Sequence, residues 1–248
     1  MGRAASLIRA LSCAASPRKA ISVLAAAVAL TLTLTILVQS APALAAEVTG
    51  KLLLAPYRLP AKEGPDGAFQ WELENGVKEC APERVDAKRE LAVVLVGDGE
   101  SAFPERMEIA FSGGGLLPST IVARPGATLL FVNQDEIAHE LFANGKDGFA
   151  AEATSPRGRR SVIMKSAGVL ELHDQLLPHL HGYIHVIPNA IAVASPDGSG
   201  QFVFPEIKPG KYTLKVLHGK NEIASQEIEV GPKALAIDPI ALTAPAAK

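Results

Sequence analysis

Residues 118–139, PSTIVARPGATLLFVNQDEIAH, decide how the rest of the chain is read. Residues 119–123 are mostly β-branched or apolar, as a strand requires. Pro125-Gly126 then turns the chain, because proline pre-sets φ and glycine accepts a positive one. A second strand over 128–133 leads through Asn133 and Asp135 to His139. Two strands about a tight turn, closed by a histidine, are a piece of β-structure with a chemically able residue at its end.

The same rhythm extends in both directions. Breakers recur roughly every eight to twelve residues, with short apolar or alternating runs between them, which is the spacing of an all-β sandwich or barrel. Strands are expected over 48–53, 91–96, 107–111, 160–164, 182–187, 190–194, 200–204, 210–217 and 222–230, and no amphipathic helix longer than two turns is apparent. Pro196-Asp197-Gly198 and Pro209-Gly210 supply further turns, and His218-Gly219-Lys220-Asn221 reads as the last hairpin turn. Residues 57–88 are charged and irregular, which suggests a long insertion with one short strand near Trp71. Residues 232–248 are rich in alanine and proline and are expected to form a flexible tail.

Residues 1–45 read as a targeting segment. Arg3, Arg9, Arg18 and Lys19 form a basic leader without an acidic residue, followed by an apolar run over 20–38 and by Ala43-Leu44-Ala45. That order describes a signal peptide cleaved ahead of Ala46, and implies a periplasmic protein. The apolar run approaches the roughly 20 residues that span a bilayer, so an uncleaved membrane anchor is the alternative. Without the leader the chain has 20 basic and 26 acidic residues, a formal charge of −6. Such a balance speaks against nucleic acid as a partner. Cys13 lies in the leader, which leaves Cys80 alone in a turn-rich stretch, unable to form an internal disulfide and read as a bystander.

Residues 118–139, together with residues 168–186, GVLELHDQLLPHLHGYIHV, resemble the cupredoxins. The first segment is similar to that family's approach to copper: strand, Pro-Gly turn, strand ending Phe-x-Asn-x-Asp, then histidine. The second is similar to the loop and final strand in which the family writes Cys-x-x-His-Pro-x-Met. A second likeness frames the first. Val48-Thr49-Gly50 and the run over 91–95, with Pro196-Asp197-Gly198 and Pro209-Gly210-Lys211-Tyr212, resemble a carboxypeptidase-regulatory-like, transthyretin-type module. The two resemblances imply a Greek-key cupredoxin-like sandwich over 104–187 inserted in a second, small β-sandwich. That second module would be built from 46–103 and 188–231, an arrangement similar to plastocyanin-like proteins linked with methylamine utilisation.

A type 1 copper site needs two imidazoles and a thiolate in a plane, with a weak axial thioether. Aligned on Pro178 and on Gly182-Tyr183-Ile184, the family's cysteine falls at Asp174, its second histidine at Leu177 and its methionine at Leu180. Only His139 matches, so the resemblance implies a degenerate site. The histidines nevertheless cluster: all six lie between His139 and His218. Alternation along a strand puts His179, His181 and His185 on one face with Tyr183. His139, His173, His179 and His181 are therefore candidate metal ligands for copper or zinc, with Asp174 able to orient an imidazole or to cap a turn. The same alternation also fits a plain polar strand face, and His218 reads as structural.

No enzyme is indicated. Ser112-Gly113-Gly114-Gly115 lacks the Gly-Lys-Ser/Thr of a phosphate loop, and neither a nucleophile elbow nor a His-Glu-x-x-His helix occurs. Arg157, Arg159, Arg160 and Lys165 read as a solvated basic turn. The expected function is a non-catalytic binding or scaffold module for an unidentified protein partner. The alternatives are a periplasmic copper- or zinc-binding protein and a copper electron-transfer protein.

Overall fold

A computed structural model describes residues 45–55, 57, 85–101 and 103–243. The leader, most of the insertion with Trp71 and Cys80, and residues 244–248 lie outside the described residues. The chain is all-β. Its first strands are β1 (Ala46–Leu53) and, after a single helical turn α1 (Ala87–Glu90), β2 (Leu91–Val96). Nine strands follow: β3 (Arg106–Ser112), β4 (Gly115–Leu117), β5 (Thr120–Ala123), β6 (Thr128–Asn133), β7 (His139–Asn144), β8 (Phe149–Thr154), β9 (Arg159–Ile163), β10 (Gly168–Asp174) and β11 (His181–Val186). The last group is β12 (Ala190–Ala194), β13 (Gln201–Ile207), β14 (Gly210–His218), β15 (Asn221–Val230), β16 (Leu235–Ala236) and β17 (Ile240–Ala241).

These strands make four sheets. Two have the orders β4-β3-β6-β9 and β5-β11-β10-β7-β8, and consist only of strands from the middle of the chain. Alternating residues from both fill the space between them: Ile109, Phe111, Leu129 and Phe131 from one, Ile121, Leu141, Leu172 and Ile184 from the other. The other two sheets mix the chain's beginning and end. β1 pairs with β13 and also, in parallel, with β16 and β17, while β2 sits between β12 and β14, with β15 outermost. Val48, Leu52, Phe202 and Phe204 of the first pack against Leu91, Val93, Leu95, Leu214 and Val216 of the second. The middle of the chain thus forms one sandwich and its two flanks another.

A third, smaller core joins them. Ala92 and Val94 of β2 meet Val122 of β5, with Phe103, Ala190 and Leu217. Odd residues of β2 therefore face one core and even residues the other. This is why LAVVLV shows no polar alternation: a strand covered on both faces has no solvent side. Hydrogen bonds pin the same junction, with Ser119 N donating to Arg89 O (2.8 Å) and Thr120 Oγ1 to Glu90 O (2.6 Å).

Two expectations are corrected here. Residues after Gly231 are not simply a frayed tail, because β16 and β17 run parallel to β1 and Ile240 is buried in the outer sandwich's core. Arg160 is not part of a solvated turn. Its guanidinium crosses from the β9 edge to the β8 edge and donates to Leu141 O (2.6 Å), Ala150 O (2.9 Å) and Glu152 O (3.3 Å), with the Phe149 ring 5.0 Å away. Arg160 Nε also lies 3.2 Å from the Glu152 carboxylate, though not in hydrogen-bonding alignment.

Candidate functional site

Three loops converge at one end of the central sandwich: the β3–β4 turn, the β6–β7 connection and the β10–β11 connection. His139 opens β7, and alternation with Leu141 and Ala143 turns it to the inner face, where it is fully buried. Its ring lies against Phe111, with centroids 4.8 Å apart and planes inclined by 20°. Asp174 closes β10 on the inner face in the same way, after Leu170 and Leu172. The two side chains meet directly, His139 Nδ1 to Asp174 Oδ2 at 2.6 Å.

The Asp174 carboxylate also organises the next turn. Its Oδ1 accepts from Leu176 N (2.7 Å) and Leu177 N (3.1 Å). On the other side of the ring, His139 Nε2 lies 3.3 Å from Asp135 Oδ2. Asp135 is itself held by Gly113 N (2.7 Å) and Gly114 N (3.0 Å). Both glycines have positive φ, 61° and 70°, which lets successive N–H groups point at one carboxylate. Burial tends to raise the Asp135 carboxyl, but the two backbone N–H groups, with the His139 hydrogen bond and charge, hold it below its ordinary range. Asn133 fixes the loop from below, its Nδ2 within 3.0 Å of the Ile137, Thr154 and Ser155 carbonyls.

Both ring nitrogens of His139 are engaged by carboxylates, Nδ1 by Asp174 and Nε2 by Asp135. The two nitrogens also point in opposite directions and cannot converge on one ion. Leu180 is buried in the apolar core and Leu177 packs on its edge. A thiolate–imidazole copper centre does not fit this donor set: one imidazole engaged on both sides, a carboxylate and two leucines. Among the described residues, no group of three or more His, Cys, Asp or Glu side chains is arranged to hold a metal ion.

The sequence groups His139 with His173, His179 and His181; the structure separates them. His173 and His181 are cross-strand partners on the outer face of the β10–β11 ladder, opposite to the face that carries His139. His173 stacks on Phe142 (centroids 5.4 Å) and its Nε2 lies 3.8 Å from Glu171 Oε2. His181 Nδ1 is 2.9 Å from the carbonyl of His179, whose own side chain reaches toward Gly114. His185, expected on the same polar face, is instead buried under the β14–β15 turn, with Nε2 2.7 Å from Gly219 O. Burial holds its imidazole below the ordinary value, against the opposing pull of that bond and of the Glu222 charge.

No family model and no curated protein matches the chain. Several solved structures are similar to part of it. Amicyanin from Paracoccus versutus (Thiobacillus versutus) is 16% identical with a TM-score of 0.31, over 38% of this chain and 97% of that one. A purple cupredoxin from Nitrosopumilus maritimus is 16% identical (TM-score 0.30), over 32% of this chain and 98% of that one. A copper-containing nitrite reductase from Thermus scotoductus SA-01 is 18% identical (TM-score 0.32); 33% of this chain matches only 22% of that longer protein. Identities this low leave the chemistry to be read from this chain's own residues.

One cluster escaped the sequence reading altogether. His218 takes a hydrogen bond at Nδ1 with the Tyr57 hydroxyl (2.8 Å), and its Nε2 lies 3.2 Å from Glu90 Oε2. Burial and the nearby Glu90 charge push the Tyr57 hydroxyl up to about 12. The three residues are far apart in sequence and share no motif, so no local signal could have found them.

Proposed function

We propose that this chain is an exported, non-catalytic cupredoxin-like protein in which a buried histidine–aspartate bond has taken the place of type 1 copper. The observation that carries the reading is the 2.6 Å contact between His139 and Asp174, the positions to which the family resemblance assigns a copper-ligating histidine and cysteine. Direct contact fills the space a metal would need, and Leu177 and Leu180 complete the substitution with apolar packing. The frame of a copper protein is then kept for its shape.

In this reading the central sandwich, with its flanking transthyretin-type sandwich, acts as a binding or scaffold module for a protein partner in the periplasm. The acidic balance of the chain after its leader supports a partner other than nucleic acid. Contact with the membrane would come only through an uncleaved leader.

The test is optical. Copper(II) added to the purified protein is expected to give no intense copper–thiolate band in the visible, whereas the triple variant D174C/L177H/L180M is expected to gain one. A strong band from the unaltered protein would overturn the proposal.

A further inference from the structure

We propose that His173 and His181 form a surface site for a divalent transition-metal ion of the copper(II) and zinc class, on the sheet face turned away from His139. The inference goes beyond the functional reading above and does not depend on it.

The two residues are direct partners in the antiparallel β10–β11 ladder. Side chains so placed leave one face together, with Cβ atoms roughly 4.5–5.5 Å apart. Two imidazoles at that separation can close on one ion at the usual metal–nitrogen distance of about 2.0–2.1 Å. His181 is exposed and His173 keeps 34% of its side chain open, so neither must be dug out of a core.

The tautomer of His181 suits the role. Its Nδ1 faces the His179 carbonyl at 2.9 Å, and a carbonyl can only accept, so Nδ1 carries the proton. In the neutral ring Nε2 then holds the lone pair and is free to bind. A ligating imidazole steadied by a backbone carbonyl at its other nitrogen is a recurring arrangement around bound metals. His173 is held by stacking on Phe142, and the Glu171 carboxylate, 3.8 Å from its Nε2, places a negative charge beside the two imidazoles. Water fills the remaining positions, which sets the expected affinity in the micromolar range rather than below it. Copper(II) binds such nitrogen donors more tightly than zinc.

Calorimetry of copper(II) chloride into the purified, untagged chain tests the site, together with electron paramagnetic resonance of the loaded protein. One ion per chain is expected, with hyperfine splitting from two imidazole nitrogens. H173A and H181A should each weaken binding at least tenfold, and H179A, which keeps its backbone carbonyl, should leave it unchanged. Circular dichroism identifies any variant that fails to fold, and His181→Gln then replaces H181A. Binding that is unaltered in the H173A/H181A double variant, or absent from the parent protein, would overturn the proposal.

Discussion

Asp174 Oδ2 lies 2.6 Å from His139 Nδ1, and both side chains are at 0% exposure. A polar pair this deep contributes little net stability over a well-packed apolar pair, because both groups are stripped of water. Breaking it from one side is another matter, since the surviving partner stays buried without its counterpart.

Removing that carboxylate should therefore be expensive and graded. Asp174→Ala leaves His139 half-satisfied and frees Leu176 N and Leu177 N, for an expected loss of about 3–5 kcal/mol. Asp174→Asn can keep its carbonyl on the two backbone N–H groups and turn its amide toward a neutral His139 ring. Its expected cost is about 1–2 kcal/mol. Urea unfolding of the two variants at neutral pH checks the order.

All three tyrosines of the chain should titrate late. Burial and Glu90 push Tyr57 up to about 12; burial with the Glu171 charge and hydrogen bond raises Tyr183; burial raises Tyr212 against the pull of Lys208. A raised folded value means stability that is full below the unfolded value of 10.0 and is lost as pH climbs toward about 12. Phenolate absorbance should thus rise together with unfolding rather than before it. Tyr57→Phe should make that alkaline loss shallower.

The acid side has two steps of opposite origin. His185 is held below its ordinary 6.5 by burial, so its contribution is present above 6.5 and lost as pH falls beneath it. Glu90 is raised by burial, but the His218 and Asp86 hydrogen bonds with the His218 and Arg89 charges outweigh that and leave it low. Its contribution is present above its ordinary 4.5 and disappears at still lower pH. Denaturant midpoints should fall first below 6.5 and again below 4.5. His185→Gln is expected to remove the first fall and Glu90→Gln to shrink the second, to which Asp135, also held low, contributes.

Arg160 ties the two open edges of the central sandwich together. Arg160→Ala should cost about 1.5–3 kcal/mol, the range for hydrogen bonds made by a charged group. Arg160→Lys should recover little, because one ammonium cannot reach three carbonyls set in a fan. Thermal unfolding of both variants measures the difference.

Strands with a full β-branched or apolar run were readable. The residues 128–133, 91–96 and 190–194 fall where the pattern puts strands. β7 and β8 were not: HELFAN mixes charge with apolar residues because its outer face is wet, and FAAEAT is small and polar because it forms an edge. β10 resembles part of a copper loop in the sequence, although Leu170, Leu172 and Asp174 alternate as a strand's inner face. At the site, the absence of a cysteine at 174 was plain in the sequence. That Asp174 would grip His139, rather than its neighbour His173, depends on which strand face each occupies, and only pairing register fixes that. The Tyr57–His218–Glu90 cluster depends wholly on the closure of the outer sandwich.

The two-faced burial of β2 has a consequence for synthesis. LAVVLV is an uncharged six-residue stretch of high β propensity, and its partners in the ladder lie at 190–194 and 210–218. A chain growing from its N-terminus makes this segment long before either partner exists. Until the last hairpin arrives, β2 is a sticky template for other chains, so the yield of folded protein during synthesis is set by chain concentration and by how quickly the C-terminal part of the chain is delivered.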